Sequence, residues 1–109
     1  MTPAAVRSRI DDLAERIATA FRPQRIVLFG SYAVGSPDAD SDVDLLVVMP
    51  CAGKPWRKAA EIRSRVRPEF PVDLLVRTPE QIAERVALGD GFMLDIVNRG
   101  KVLYEAPRG

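Results

Sequence analysis

The sequence contains no histidine and a single cysteine, Cys51. One cysteine cannot form an internal disulfide, and without histidine or further cysteines the chain lacks the usual ligands of a zinc site and the imidazole of a general base. Uninterrupted apolar runs are also missing, which argues against a secretory signal and against a membrane-spanning helix. We therefore expect a cytoplasmic protein whose only metal ligands are oxygen atoms.

Aromatic residues make up 6% of the chain and the net charge is +1, so the composition gives no general indication of nucleic-acid binding. Charge is nevertheless segregated: residues 38–44 carry four aspartates, and residues 54–67 carry six Lys or Arg against one Glu. The basic segment is most simply a solvated helix face, and otherwise a contact for nucleotide or an RNA-bearing partner. With 109 residues, 47% of them apolar, the chain can bury one modest core, and we predict a single domain over 1–109.

Apolar periodicity predicts alternating helices and strands. A helix with Thr78 as its N-cap and Gly89 just beyond its end is the clearest element, because Pro79 and Gln81 complete its start signal. Residues 106–109 are predicted to be a frayed tail. The remaining predictions are helices over 3–20, 55–67 and 91–98, a helical turn over 31–34, and strands over 25–29, 42–49, 72–77 and 101–105. This order is typical of an α/β domain with helices over one sheet.

Aspartates interrupt two of the predicted strands. Side chains alternate faces along a strand, so Asp42 and Asp44 project to one side while Val43 and Leu45 face the core. Asp73 holds the same type of position in the strand over 72–77, and pairing of the two strands could bring all three carboxylates together. Taken singly, an Asp-x-Asp pair is most often a solvated face or a turn cap.

Clustered carboxylates need a counter-charge. Two of them about 4 Å apart repel by roughly 1 kcal/mol in water and by about 4 kcal/mol at an effective dielectric constant near 20. A divalent cation relieves this repulsion, and an all-oxygen ligand set favours Mg²⁺ or Mn²⁺ over zinc or copper. Because Mg²⁺ is usually shared with substrate phosphates, we expect a nucleotide at the site.

Gly30 and Ser31 form a candidate phosphate site where the strand over 25–29 ends. Glycine lets a phosphate approach the backbone, and the first turn over 31–34 offers unpaired N–H groups and a hydroxyl. A Gly-Ser pair is usually only a turn. Its spacing of ten residues from Asp42 is what favours a functional site.

This pattern, "GSYAVGSPDADSDVDLLV", resembles the DNA polymerase beta-like nucleotidyltransferase superfamily, and the short chain resembles its minimal nucleotidyltransferases, including the MntA-type antitoxins. The resemblance implies a small mixed sheet flanked by helices. It also implies attack of a hydroxyl on the α-phosphate of a nucleoside triphosphate, assisted by two Mg²⁺ or Mn²⁺ ions. By position, Gly30 and Ser31 would hold the triphosphate, Asp42 and Asp44 would bind both metals, and Asp73 would complete the catalytic metal site and help deprotonate the acceptor.

One position departs from the family pattern. Many relatives carry Arg where this chain has Val34, so a cation near the phosphates is missing unless Arg25, Lys54 or Arg57 replaces it. The aromatic Trp56, in the basic segment, is expected to pack in the core.

The resemblance further implies a partner, since minimal members commonly pair with helical proteins of the higher eukaryote and prokaryote nucleotide-binding (HEPN) class as antitoxin and toxin. We expect transfer of AMP from ATP to a hydroxyl of such a partner. The segment with Phe92, Met93, Ile96 and Val97 could dock it, although simple core packing is the more common role of such residues.

Three other functions remain open from the sequence. The chain could be a binding module that neutralises a partner by contact alone, which Val34 favours slightly and the three retained carboxylates disfavour. It could be an RNA-binding protein, but the basic segment lacks interleaved aromatics, so direct nucleic-acid binding is not expected. It could modify a small molecule such as an antibiotic, but no second domain would hold that substrate.

Overall fold

A computed structural model describes residues 2–107 of the chain. Its elements follow one another as α1 (Pro3–Phe21), β1 (Arg25–Phe29), α2 (Ser31–Val34), β2 (Val43–Val48), α3 (Pro55–Val66), β3 (Val72–Arg77), α4 (Pro79–Ala87), α5 (Gly91–Arg99) and β4 (Lys101–Glu105). Every predicted element is present, with ends that differ by one or two residues. No helix in the described range is long and apolar enough to cross a membrane.

The four strands form one mixed sheet in the order β3-β2-β1-β4. β1 runs antiparallel to both β2 and β4, whereas β2 and β3 are parallel. The antiparallel pairing sets Phe29 opposite Asp44, and the parallel pairing sets Asp44 opposite Asp73. The end of β1 and the starts of β2 and β3 therefore meet at one edge of the sheet.

β2 is buried on both faces, which explains its almost continuous apolar sequence. Val43, Leu45 and Val47 pack into the larger core cluster, whereas Leu46 and Val48 belong to a smaller cluster on the other face. This alternation confirms the prediction that Val43 and Leu45 face the larger core, and that Leu46 and Val48 lie on the same face of the strand as the aspartates. Asp44 lies on the same face as Leu46, so it points toward the smaller cluster.

Helices cover both faces of the sheet. The apolar stripe of α1 and two residues of α3, Ile62 and Val66, complete the larger cluster. Met93 and Ile96 of α5, with partly buried residues of α4, complete the smaller one. The stripe of α1 consists of Val6, Ile10, Leu13, Ala14, Ile17 and Ala18.

The caps of α4 and α5 fix how these helices meet the sheet. Thr78 and Gln81 form the predicted capping box, with hydrogen bonds of 3.1 and 2.9 Å. Gly89 has φ +75°, as expected for a glycine that ends a helix. Asp90 then caps α5, because its Oδ1 accepts hydrogen bonds from the N–H groups of Phe92 (3.0 Å) and Met93 (3.3 Å).

Two predictions about packing are wrong. Trp56 is 66% exposed, because it lies in the first turn of α3 about 120° around the helix from the buried Ile62. Residues 106–109 were predicted to fray, but the N–H of Ala106 donates a 2.9 Å hydrogen bond to the carbonyl of Gln24. Residues 108–109 of that predicted tail lie outside the described residues.

The apolar segment of α5 is divided between the core and the surface. Met93 and Ile96 are buried in the core. Phe92 and Val97 are 58% and 51% exposed, so only these two remain available for a ligand or a partner.

Candidate active site

The structure brings the three predicted aspartates to one edge of the sheet. Asp44 and Asp73 occupy paired positions of two parallel strands and line the same cavity. Asp42 precedes β2 by one residue and adds its charge to the same region. Asp44 is partly buried, whereas Asp42 and Asp73 are exposed.

This arrangement raises the pKa of Asp44 from its ordinary value of 3.8 to about 6. Burial is the largest cause, followed by the negative charges of Asp73 and Asp42. The ionised form of Asp44 is therefore disfavoured in the free protein, and the positive charge of a bound cation would favour that form.

The other aspartates of the acidic segment have a different role. Asp38 shapes the turn before β2, because its Oδ1 accepts hydrogen bonds from the Asp40 N–H (2.9 Å) and the Ser41 hydroxyl (3.3 Å). Asp40 is exposed and adds nothing to the shift at Asp44. Of the four aspartates, Asp38 thus belongs to a turn, whereas Asp42 and Asp44 belong to the candidate site.

The donor set fits a hard divalent cation. Within residues 2–107, no three His, Cys, Asp or Glu side chains are already spaced as a ligand cluster. The three aspartates are therefore less closely spaced than a complete ligand cluster. An open group suits Mg²⁺ or Mn²⁺, which typically takes one or two carboxylates and completes its shell with water and substrate phosphates.

Gly30 joins the phosphate corner to the aspartates. Its backbone angles at the N-cap of α2 are φ +75° and ψ −156°, a conformation that residues other than glycine rarely adopt. A Cβ at this position would overlap Oδ2 of Asp44 and lie 3.1 Å from its Cγ. Glycine is therefore required both for the turn and for the close approach of Asp44 to the backbone.

Ser31 begins α2, and its side chain is partly exposed. The N–H groups of Ala33 and Val34 donate to the Gly30 carbonyl at 3.0 and 3.2 Å. Those of Ser31 and Tyr32 donate no backbone hydrogen bond within the described part of the chain. The corner thus offers unpaired donors beside the Asp44 carboxylate, as the sequence predicted.

Arg7 is a cation beside α2 that the sequence analysis missed. Its Nη1 donates a 3.4 Å hydrogen bond to the Tyr32 carbonyl, and its guanidinium lies 5.6 Å from the centre of the Tyr32 ring. Tyr32 is 1% exposed and anchors α2 in the larger core cluster. No local sequence signal links an exposed residue of α1 to a turn 25 positions later.

The three cations predicted to replace the missing arginine lie elsewhere. Arg25 is at the opposite end of β1, where it pairs with Val48 in the sheet and forms a 3.5 Å ion pair with Glu105. Lys54 and Arg57 follow the far end of β2 and line a separate surface hollow. The prediction that one of them compensates for Val34 is not supported by these positions.

A cavity of about 410 Å³ adjoins Asp44 and Asp73. It lies between the sheet and α5, and Gly30 is among its lining residues. Its other side-chain walls include Phe29, Leu75, Phe92, Asp95 and Ile96. Apolar walls with a few polar groups are typical of ligand pockets.

A mixed sheet of this order, with an aspartate pair beside a Gly-Ser corner, defines the class of the protein. The family model described as a nucleotidyltransferase domain matches residues 10–102, which include Gly30, Ser31 and the three aspartates. The chain belongs to this nucleotidyltransferase family. No curated protein sequence matches it significantly.

Solved structures share the fold. The crystal structure of a proposed nucleotidyltransferase from Sulfolobus solfataricus matches with a TM-score of 0.63 and 19% identity, covering 94% of this chain and 83% of that one. A toxin-antitoxin structure with AMP-PNP matches with a TM-score of 0.56 and 21% identity, covering 89% and 74%. A mutant of the MntA-HpeT toxin-antitoxin matches with a TM-score of 0.54 and 20% identity, covering 88% and 73%. These matches confirm the predicted fold.

Replacement of Gly30 by alanine should damage both the fold and the site. Because of the positive φ and the overlap with Asp44, we expect Gly30→Ala to lower the free energy of unfolding by about 1–3 kcal/mol. Urea denaturation measures this change. Gly53→Ala is the matched control, since a Cβ there meets nothing within 4 Å, and it should change stability by less than about 0.5 kcal/mol. Equal effects of the two substitutions would contradict the assigned role of Gly30.

Replacement of Asp44 by asparagine should stabilise the metal-free protein at neutral pH. A raised folded-state pKa favours folding while the group is protonated, and this contribution disappears as the pH rises from about 4 through 6. The full shift corresponds to about 3 kcal/mol, and solvent screening at this partly exposed carboxylate reduces it to about 1 kcal/mol.

Asp44→Asn should therefore unfold at a higher temperature than wild type at pH 7.5 in EDTA, and at the same temperature below pH 4. Differential scanning fluorimetry over this pH range measures the difference. A variant that is less stable than wild type at pH 7.5 would show that the carboxylate is not under the strain described here.

Proposed function

We propose that the chain is a metal-dependent nucleotidyltransferase that transfers a nucleoside monophosphate, AMP from ATP, to a hydroxyl of a partner protein. The observation that carries the proposal is the electrostatic coupling of Asp44 to Asp73 and Asp42 directly beside Gly30. The carboxylates repel one another, and unpaired backbone N–H groups lie next to them. Such a site suits a substrate whose phosphates bind the N–H groups and whose cations offset the repulsion.

In the proposed reaction the acceptor oxygen forms a bond to the α-phosphorus while the bond from that phosphorus to the bridging oxygen of the β-phosphate breaks. Diphosphate leaves, and the hydroxyl proton passes to Asp73 or to water. Two divalent ions, when bound, stabilise negative charge on the entering and leaving oxygens.

The side chains have separate tasks in this scheme. Gly30 and Ser31 hold the triphosphate through backbone N–H groups and a hydroxyl. Asp42 and Asp44 would hold the metals through their carboxylate oxygens. Asp73 completes the catalytic metal site and accepts the proton, and its exposure lets the proton pass on to solvent.

The proposed partner is a HEPN-type toxin, with this chain as its antitoxin. Two solved structures of similar fold are described as toxin-antitoxin structures, and one of them contains AMP-PNP, an ATP analogue. A cytoplasmic location remains part of the proposal.

A second candidate function is neutralisation of the partner by contact alone. Val34, which is 50% exposed where many relatives have arginine, is the observation that favours it. Arg7 weakens this alternative, because it brings a cation to the same short helix from α1.

Label transfer tests the proposal. The wild-type protein with Mg²⁺ and ATP labelled on the α-phosphate should label the partner that purifies with it, and the double variant Asp42→Asn/Asp44→Asn should reduce the label at least a hundredfold because the metal ligands are lost. Asp40→Asn is the matched control from the same acidic segment and should retain full activity.

The outcomes separate the two candidates. Label that persists in the double variant would exclude the proposed metal site. A double variant that transfers no label and still neutralises the partner as well as wild type would favour contact alone.

A further inference from the structure

Two aromatic rings meet at the mouth of the cavity beside Asp44 and Asp73. The ring centres of Phe29 and Phe92 lie 5.8 Å apart at 86°, an edge-to-face contact. Phe29 is held by β1 and is partly buried, whereas Phe92 is 58% exposed. Because Asp90 caps α5 through the N–H of Phe92, the exposed ring of Phe92 belongs to a capped first turn of the helix.

The order of the strands suggests which part of a nucleotide this cavity would receive. The phosphate corner at Gly30 ends β1, and Asp73 lies on β3, with Asp44 on β2 between them. In the proposed reaction the leaving diphosphate lies toward Gly30, and the acceptor approaches past Asp73. The line that joins the entering oxygen, the α-phosphorus and the leaving oxygen therefore crosses the strands.

The nucleoside is attached to the α-phosphorus away from that line, because the entering and leaving oxygens occupy its two ends. The cavity lies beside Asp44, between the face of the sheet that carries Leu75 and Ile96 of α5. The acceptor, by contrast, needs the exposed side near Asp73.

We propose that this cavity is the nucleobase site, in which the base lies against the exposed ring of Phe92 and beside Phe29. This inference rests on the proposed nucleotidyltransferase function. Asp95 is at the rim of the cavity, and Arg99 holds it through a 3.4 Å contact with its Oδ1. A carboxylate at this position would accept a hydrogen bond from the exocyclic amino group of adenine.

The composition of the walls favours a base over an apolar side chain of a partner protein. Asp44 and Asp73 line the cavity and form no ion pair within the described residues, so an apolar group would leave them without a counter-ion, whereas Asp95 is already paired with Arg99. A nucleotide brings donors on its base and metal-bound phosphates for the aspartates. The volume of the cavity, about 410 Å³, is within the usual range of pockets for small ligands, about 300–1,000 Å³.

Calorimetric titration with two probes tests this site. One probe is AMP-PNP with Mg²⁺, and the other is inorganic tripolyphosphate with Mg²⁺, which has phosphates but no ring. Phe92→Ala should weaken the binding of AMP-PNP about tenfold, since stacking on an aromatic ring has that order of effect, and should leave tripolyphosphate binding unchanged. Val97→Ala, an exposed apolar residue of the same helix outside the cavity, should match wild type for both probes.

Two further variants keep the test independent of folding. Phe92→Tyr retains the ring and should bind AMP-PNP like wild type, and Phe92→Leu retains bulk without the ring and should bind it several-fold more weakly. Asp95→Ala should remove any preference for AMP-PNP over the triphosphate of purine riboside, which lacks the amino group.

The results distinguish this inference from the function on which it rests. If wild type binds neither probe, the proposed function fails and the base site fails with it. A second outcome is that wild type binds both probes, and that Phe92→Ala and Phe92→Leu bind AMP-PNP as tightly as wild type does. In that case the proposed function stands and the base site is wrong. Loss of partner binding alone in these variants would assign Phe92 to a protein interface and would also overturn the proposal.

Discussion

The parallel pairing of β2 with β3 places Asp44 next to Asp73, and the rest of the site depends on this unfavourable contact. The two carboxylates repel, so something else must hold them there. The burial of β2 on both faces does so, because a slip of one residue would exchange the side chains of its two faces. Apolar packing thus supplies the free energy that keeps a charged site assembled in the absence of its ligands.

The same strand connects the aspartates to the phosphate corner. Antiparallel pairing with β1 sets Phe29 opposite Asp44, and the chain then turns at Gly30 so closely that no side chain fits between its backbone and the carboxylate. Tyr32, buried in the larger cluster, and Arg7, bonded to the Tyr32 carbonyl, fix the short helix that follows. The proposed phosphate donors and metal ligands are therefore positioned by one central strand and its two neighbours.

Features that depend on local rules could be read from the sequence. The alternation of side chains in β2, the capping box at Thr78 and the glycine after α4 were predicted, because each depends on residues within a few positions of one another. The approach of Asp73 to Asp44 was also predictable, since equivalent positions of paired strands lie side by side. The family match supports the same fold.

Features that depend on how distant elements pack could not be read in this way. The antiparallel direction of β1 sends Arg25 to the far end of the sheet, and no pattern within the strand reveals its direction. The contact of Arg7 with Tyr32 joins α1 to α2, and the cavity by Phe92 exists only because α5 returns over β1 and β3. Trp56 was assigned to the core on its chemical nature, whereas its angular position on α3 makes it exposed.

Carboxyl ¹³C NMR titration of the aspartates tests the central claim most directly, because it reports the ionisation of Asp44 itself. In the metal-free protein the Asp44 signal should titrate near pH 6, well above the ordinary value of 3.8, and it should move to lower pH when Mg²⁺ and AMP-PNP are added. An Asp44 signal that titrates near its ordinary value and does not respond to Mg²⁺ and AMP-PNP would contradict the account.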